Sequence, residues 1–125
     1  MESVGALISV VDDDESVREA LPDLLREFGF SAKAFASAQE FLDSRCAGKT
    51  KCMILDIAMP EISGPELKRK LEEMGFSIPT IFITAHAEAC SKPEVRENAV
   101  ACLIKPFSDT ALQDAVKKAL KVKRK

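Results

Sequence analysis

Asp12, Asp13, Asp14 and Glu15 form an unbroken acidic run directly after the apolar stretch "ALISVV" at residues 6–11. Asp56 ends a second apolar run, Thr84 ends a third, and Lys105 follows a fourth. Two carboxylates about 4 Å apart repel by roughly 4 kcal/mol at an effective dielectric of 20. If the acids of the two runs converge, that repulsion calls for a cation. A hard divalent ion held by a few carboxylate oxygens, with several waters retained, suits Mg²⁺. A carboxylate beside such an ion, a lysine and a hydroxyl is arranged to receive a phosphoryl group, because the transferring group spreads its charge over three oxygens. An Asp can then act as nucleophile and form an acyl phosphate. Taken alone, the acidic run is also compatible with a solvated turn, so the elements around it have to decide.

Those elements alternate. Residues 6–11 are apolar without interruption, the pattern of a strand buried on both faces. From Ser16, the positions Val17, Ala20, Leu21, Leu24, Leu25 and Phe28 follow helical spacing, and Gly29 sits where a C-terminal cap belongs. Pro22 lies inside this helix and predicts a kink. "SAKAF" at 31–35 reads as a second strand, and Ser37 caps a helix carrying Phe41 and Leu42. "KCMILD" at 51–56 is the third strand. A helix at 64–75 has Pro65 near its start, Leu67, Leu71 and Met74 on one face, and Gly75 as its stop. Residues 78–84 and 101–104 supply strands four and five. Ser108 opens a last helix with an inner stripe of Leu112, Ala115, Val116 and Ala119. Between strands four and five only Val95 anchors a helix that starts at Pro93, so a short or mobile helix is expected there.

Five buried strands alternating with helices predict an α/β fold, a parallel sheet covered on both faces. In such sheets ligands bind beyond the carboxyl ends of the strands, near the point where strand order reverses. Asp12, Asp13, Asp56, Thr84 and Lys105 all fall at those ends. One polar residue at a strand end is commonplace. Carboxylates on two strands, a hydroxyl on a third and an ammonium on a fourth argue for a site. Asp14 and Glu15 are read as the acidic start of the first helix.

The 125 residues suffice for one domain with one core. With 46 % hydrophobic and 30 % charged residues the chain reads as globular, and a net charge of −2 gives no general pull towards nucleic acid or anionic lipid. The basic run at 117–125 reads as a solvated helix end or the start of a linker. No stretch reaches the apolar length of a membrane span and no leader opens the chain, so a cytoplasmic protein is expected. Cys46, Cys52, Cys90 and Cys102 show no CxxC spacing, and in a reducing cytoplasm they are expected as buried free thiols.

The segments "VVDDDESVR", "MILDIAMPEISG", "FITAH" and "LIKPF", in this order, resemble the receiver domain of bacterial response regulators, closest to the FixJ-like group that carries a LuxR-type DNA-binding domain. The resemblance covers about residues 6–121. It implies a doubly wound, flavodoxin-like sheet in the order 2-1-3-4-5, a receiver domain at 1–121, and a linker or tail starting at 122–125. It implies Asp56 as the phosphoacceptor, with Asp12, Asp13, Asp56 and the backbone carbonyl of Ala58 binding Mg²⁺, Asp12 largely through water. Thr84 and Lys105 would receive the phosphoryl oxygens. Met59, Pro60 and Gly64 match the loop after the acceptor, where glycine would permit a tight turn. A cis bond between Lys105 and Pro106 is implied too.

The partner implied is a sensor histidine kinase. Dimerisation on phosphorylation is possible in this family, and DNA would be reached only through an effector domain outside these residues. Where the family usually signals through an aromatic residue, this chain has Cys102, expected as an inert strand thiol. The conformational change is therefore expected to run through Thr84 and residues 85–98. Phe107 is read as core, and His86 either as a modulator of acyl-phosphate lifetime or as a surface histidine. The alternatives are a stand-alone receiver acting by protein–protein contact, an Asp-nucleophile metal-dependent phosphatase and a flavodoxin-like cofactor binder. The phosphatase would want its nucleophile on strand one. The cofactor binder would want a Ser/Thr/Gly phosphate loop where this chain has acids.

Overall fold

The computed structural model describes residues 5–121. The stretch 122–125, read above as linker or tail, lies outside the described residues. Five strands and five helices alternate: β1 (Leu7–Val11), α1 (Glu15–Glu27), β2 (Ser31–Phe35), α2 (Ala38–Ser44), β3 (Thr50–Asp56), α3 (Gly64–Glu73), β4 (Thr80–Thr84), α4 (Pro93–Arg96), β5 (Ala101–Ile104) and α5 (Asp109–Leu120). The strands form one parallel sheet in the order β2-β1-β3-β4-β5. Order reverses between β1 and β3, which places a crevice at their carboxyl ends.

Two cores follow from the alternation of side chains along each strand. On one face Ile8, Val10, Ile54, Ile81 and Ile83 pack with Leu25 of α1 and with Leu112 and Val116 of α5. On the other, Val11, Met53, Leu55 and Phe82 pack with Phe41 of α2, Leu67 and Leu71 of α3, and Val95 of α4. Strands covered on both sides need no polar face, and the middles of β3 (Cys52–Leu55) and β4 (Ile81–Ile83) accordingly read as unbroken apolar runs.

Helix ends obey their local chemistry. Asp14 caps α1, its carboxylate accepting from the Ser16 N–H at 2.9 Å. Ser63 and Glu66 form a reciprocal capping box on α3, and Ser37 and Ser108 cap α2 and α5. α1 continues through Pro22, which removes one helical donor without ending the helix. β4 starts at Thr80 rather than at residue 78, because the Ile78 carbonyl accepts instead from Lys68 Nζ at 2.6 Å and Thr80 Oγ1 at 2.9 Å. α4 is four residues long, as the sparse apolar pattern predicts.

The cysteine expectation is corrected in part. Cys46 and Cys52 are buried and free, but Cys90 and Cys102 form a disulfide. Spacing in sequence could not reveal the pair, because the return of β5 alongside β4 is what brings residue 102 back to residue 90.

Candidate functional site

The carboxyl ends of β1 and β3 bring Asp12, Asp13 and Asp56 together, with one carboxylate oxygen of each within 4.8 Å of the others. Backbone bonds hold this geometry. The Asp12 N–H donates to the Phe35 carbonyl at the end of β2 at 3.0 Å, and the Ile57 N–H donates to the Ile83 carbonyl at 3.0 Å. Arg18 Nη1 donates to the Asp12 carbonyl at 3.1 Å and steadies the turn between β1 and α1. Sequence reasoning missed that contact. Its only signal was a guanidinium six residues beyond the acid, on the first turn of the helix.

Asp12 is fully buried. Its Oδ1 accepts from the Asp14 N–H at 2.9 Å. Its Oδ2 lies 2.9 Å from Lys105 Nζ, a close ion pair whose alignment does not amount to a directed hydrogen bond. The same ammonium stands 4.0 Å from Asp56 Oδ2. Burial acts against the Lys105 charge, but Asp12, Asp56 and Asp14 outweigh it and raise the pKa of the lysine.

Asp56 behaves in the opposite sense. Burial first, and then the Asp12 charge, push its carboxyl up to about 7, with Lys105 pulling the other way. A lone ammonium thus leaves the acidic cluster short of positive charge. Asp13 is exposed and opens the cluster to water.

Thr84 is buried at the end of β4, one residue past the ladder partner of Asp56, and its Oγ1 accepts from the His86 N–H at 3.0 Å. The Lys105 N–H donates to the Thr84 carbonyl at 2.7 Å, so β4 and β5 are locked where they present these two residues. The His86 side chain is exposed, with Nδ1 3.9 Å from Glu88. Phe107 is half-buried against the core under α5. The Lys105–Pro106 peptide is cis, in keeping with the resemblance.

Gly64 turns out to matter for close approach rather than for conformational freedom. A Cβ there would collide with the carbonyl oxygen of Asp56, while the Gly64 N–H donates to the Ile57 carbonyl at 2.9 Å. Ala58, two residues beyond Asp56, lies exposed in the same loop.

A parallel sheet that gathers three acids and a lysine beyond the carboxyl ends of its strands, with a buried threonine ending β4, defines a doubly wound α/β domain with a charged crevice. The profile of the response regulator receiver domain matches residues 8–117, and the chain belongs to that family. Within it the chain stands close to the FixJ-like group: it is 35 % identical over 113 residues to the transcriptional regulatory protein FixJ of Rhizobium meliloti, covering 90 % of this chain and 55 % of FixJ. It is also 38 % identical over 123 residues to the response regulator protein TodT of Pseudomonas putida, covering 98 % of this chain and 54 % of TodT. The crystal structure of the response regulator TrrA of Thermotoga maritima, in complex with Mg²⁺ and BeF, superposes with a TM-score of 0.81 at 32 % identity, covering 91 % of this chain and 98 % of TrrA. The chain spans about half the length of the curated relatives it matches.

The donor set fits Mg²⁺ on physical grounds. Three carboxylates crowd together, one oxygen of the buried Asp12 lacks a directed donor, and Asp13 keeps a watered side. Among the described residues, no helix is long and apolar enough to cross a membrane.

Proposed function

We propose that this receiver domain is a phosphorylation-controlled signalling switch. Asp56 accepts a phosphoryl group from the phosphohistidine of a sensor kinase, and Asp12, Asp13, Asp56 and the Ala58 carbonyl would hold Mg²⁺. The observation that carries this reading is the crowding of Asp12, Asp13 and Asp56 within 4.8 Å of one another, with Lys105 the ammonium that stands beside both Asp12 and Asp56. A bound Mg²⁺ supplies charge neutralisation for the acids and for the transferring phosphoryl oxygens.

The residues have separable roles. An oxygen of Asp56 forms the new P–O bond as the P–N bond of the donor breaks and the histidine nitrogen keeps the electron pair. Lys105, already paired with Asp12, offers its ammonium to a phosphoryl oxygen. Thr84 offers its hydroxyl proton to another, and the segment that follows it carries the change outward. Asp14 is occupied as a helix cap and Asp12 is held by Lys105. That arrangement favours Asp56 over a strand-one acid as acceptor, and hence a switch over a phosphatase.

The relatives of twice the length support control of transcription through an effector domain that would follow a linker near residue 122, with dimerisation as its trigger. The family supports a cytoplasmic setting. A stand-alone receiver remains the second reading of the output, and it shares the same chemistry at Asp56.

The test uses a small acyl phosphate as donor. Incubation with acetyl phosphate and Mg²⁺ is expected to add one phosphoryl group by intact mass, with acetate leaving. Addition without Mg²⁺, or undiminished addition to Asp56→Asn, would overturn the assignment.

A further inference from the structure

The four cysteines divide into two kinds. Cys46 and Cys52 are buried in the core, and burial pushes the Cys52 thiol up to about 12, so it keeps its proton. Cys90 and Cys102 are half-buried and bonded to each other. Solvent thiols can therefore reach the second pair and not the first.

The position of that pair gives it leverage. Cys90 lies in the 3₁₀ turn Ala87–Ser91 that follows β4, and Cys102 lies within β5 opposite Phe82. The bond spans 12 residues and encloses the whole of α4. Among the described residues inside that loop, Val95 alone is buried. At one end the loop leads back to Thr84, whose hydroxyl oxygen accepts from the His86 N–H. At the other, β5 leads directly to Lys105. The cross-link thus ties together the two chain segments that present the hydroxyl and the ammonium of the site.

We propose that Cys90 and Cys102 are a reversible thiol–disulfide site that latches residues 85–98 onto β5. The inference rests on the phosphoacceptor reading for its output, but not for the latch itself. A disulfide that forms in a reducing compartment is characteristically transient or redox-sensing, and few other contacts hold this segment in place. Closed, the bond restricts the freedom of the loop. Open, the segment depends on Val95, Ala89 and its own short turns.

The reaction partners are thiols and disulfides of the glutathione class. A thiolate attacks one sulfur of the pair and forms a mixed disulfide, and the other cysteine leaves as thiolate and takes a proton. A second thiol resolves the mixed disulfide, giving two protein thiols and one small disulfide. Two electrons pass from the small thiols to the protein. Oxidised glutathione runs the sequence backwards.

The test equilibrates the folded 125-residue chain in buffers of reduced and oxidised glutathione, then counts alkylated thiols by mass. Two thiols, at 90 and 102, are expected to appear on reduction while Cys46 and Cys52 stay protected. Amide exchange is then followed on both forms, with and without acetyl phosphate and Mg²⁺. Residues 87–98 are expected to exchange roughly tenfold faster when reduced, with β1 and β3 unchanged. Cys90→Ser/Cys102→Ser is expected to match the reduced form in either buffer.

Equal exchange in the two redox forms, or a bond that glutathione reduces only after unfolding, would overturn the latch. Absence of phosphoryl uptake in both forms would instead remove the phosphoacceptor reading, leaving the exchange difference to decide the latch alone.

Discussion

The carboxyl ends of β1 and β3 and the stretch between β4 and β5 belong to one sheet, yet they are built to opposite standards. The acid pocket is over-determined. Asp12 is fixed by its own backbone, by Arg18, by Lys105 and by the Asp14 amide, and Gly64 lets the next loop press against Asp56. The α4 region is under-determined: four helical residues, the buried side chains of Val95 and Ala89, and one cross-link. A site that must hold crowded charge needs rigid walls, because its interactions weaken steeply with small displacements. A surface that must respond needs a low free energy of local rearrangement.

Breaking that contrast at its strongest point should give the largest effect. Leu71→Ala removes a fully buried side chain from the α3 face and should destabilise the whole domain by about 2–5 kcal/mol, read by denaturant unfolding with a single transition. Gly64→Ala should follow, costing about 1–3 kcal/mol because the Asp56 backbone must shift, and it should weaken Mg²⁺ binding measured by calorimetry.

The native Asp56 carboxyl titrates at about 7, well above its unfolded value, so the folded state binds the proton more tightly. Without a divalent ion, the contribution of Asp56 to stability should fall as pH rises from about 4 to about 7, read as the difference in pH dependence from Asp56→Asn. Mg²⁺ must displace that proton, so its affinity should weaken by up to about tenfold per unit as pH drops below 7. An affinity flat between pH 6 and 8 would contradict the raised carboxyl.

Val95→Ala tests the other region. It should speed amide exchange across α4 while changing global stability by only about 1 kcal/mol, less than a core truncation, because α4 can open without the sheet. Ser63→Ala should be smallest, about 1 kcal/mol from the lost capping box, and should leave Mg²⁺ affinity unchanged. A larger Val95→Ala effect than Leu71→Ala would invert the contrast.

Much of this was legible from one-dimensional pattern. Unbroken apolar runs announced strands covered on both faces, and Ser37, Ser108 and Gly29 marked helix ends where they stand. That Asp12, Asp13, Asp56 and Lys105 come together was readable because each falls at or just past the end of a strand. The weakness of α4 was visible in its lack of apolar partners for Val95. Other features were not legible. The role of Gly64 depends on which backbone lies against it, and Arg18 on where its helix starts in space. The Cys90–Cys102 bond depends on β5 lying beside β4.

By itself, then, the amino-acid order determined the kind and sequence of elements, because periodicity and end-capping act over a few neighbouring residues. It also determined which residues could do chemistry, since that is a property of their side chains. The tertiary structure alone decided which oxygen is buried without a directed donor, why Gly64 must stay small, and which two sulfurs meet. Those outcomes arise from distances between chain segments remote in sequence, which local preference does not encode.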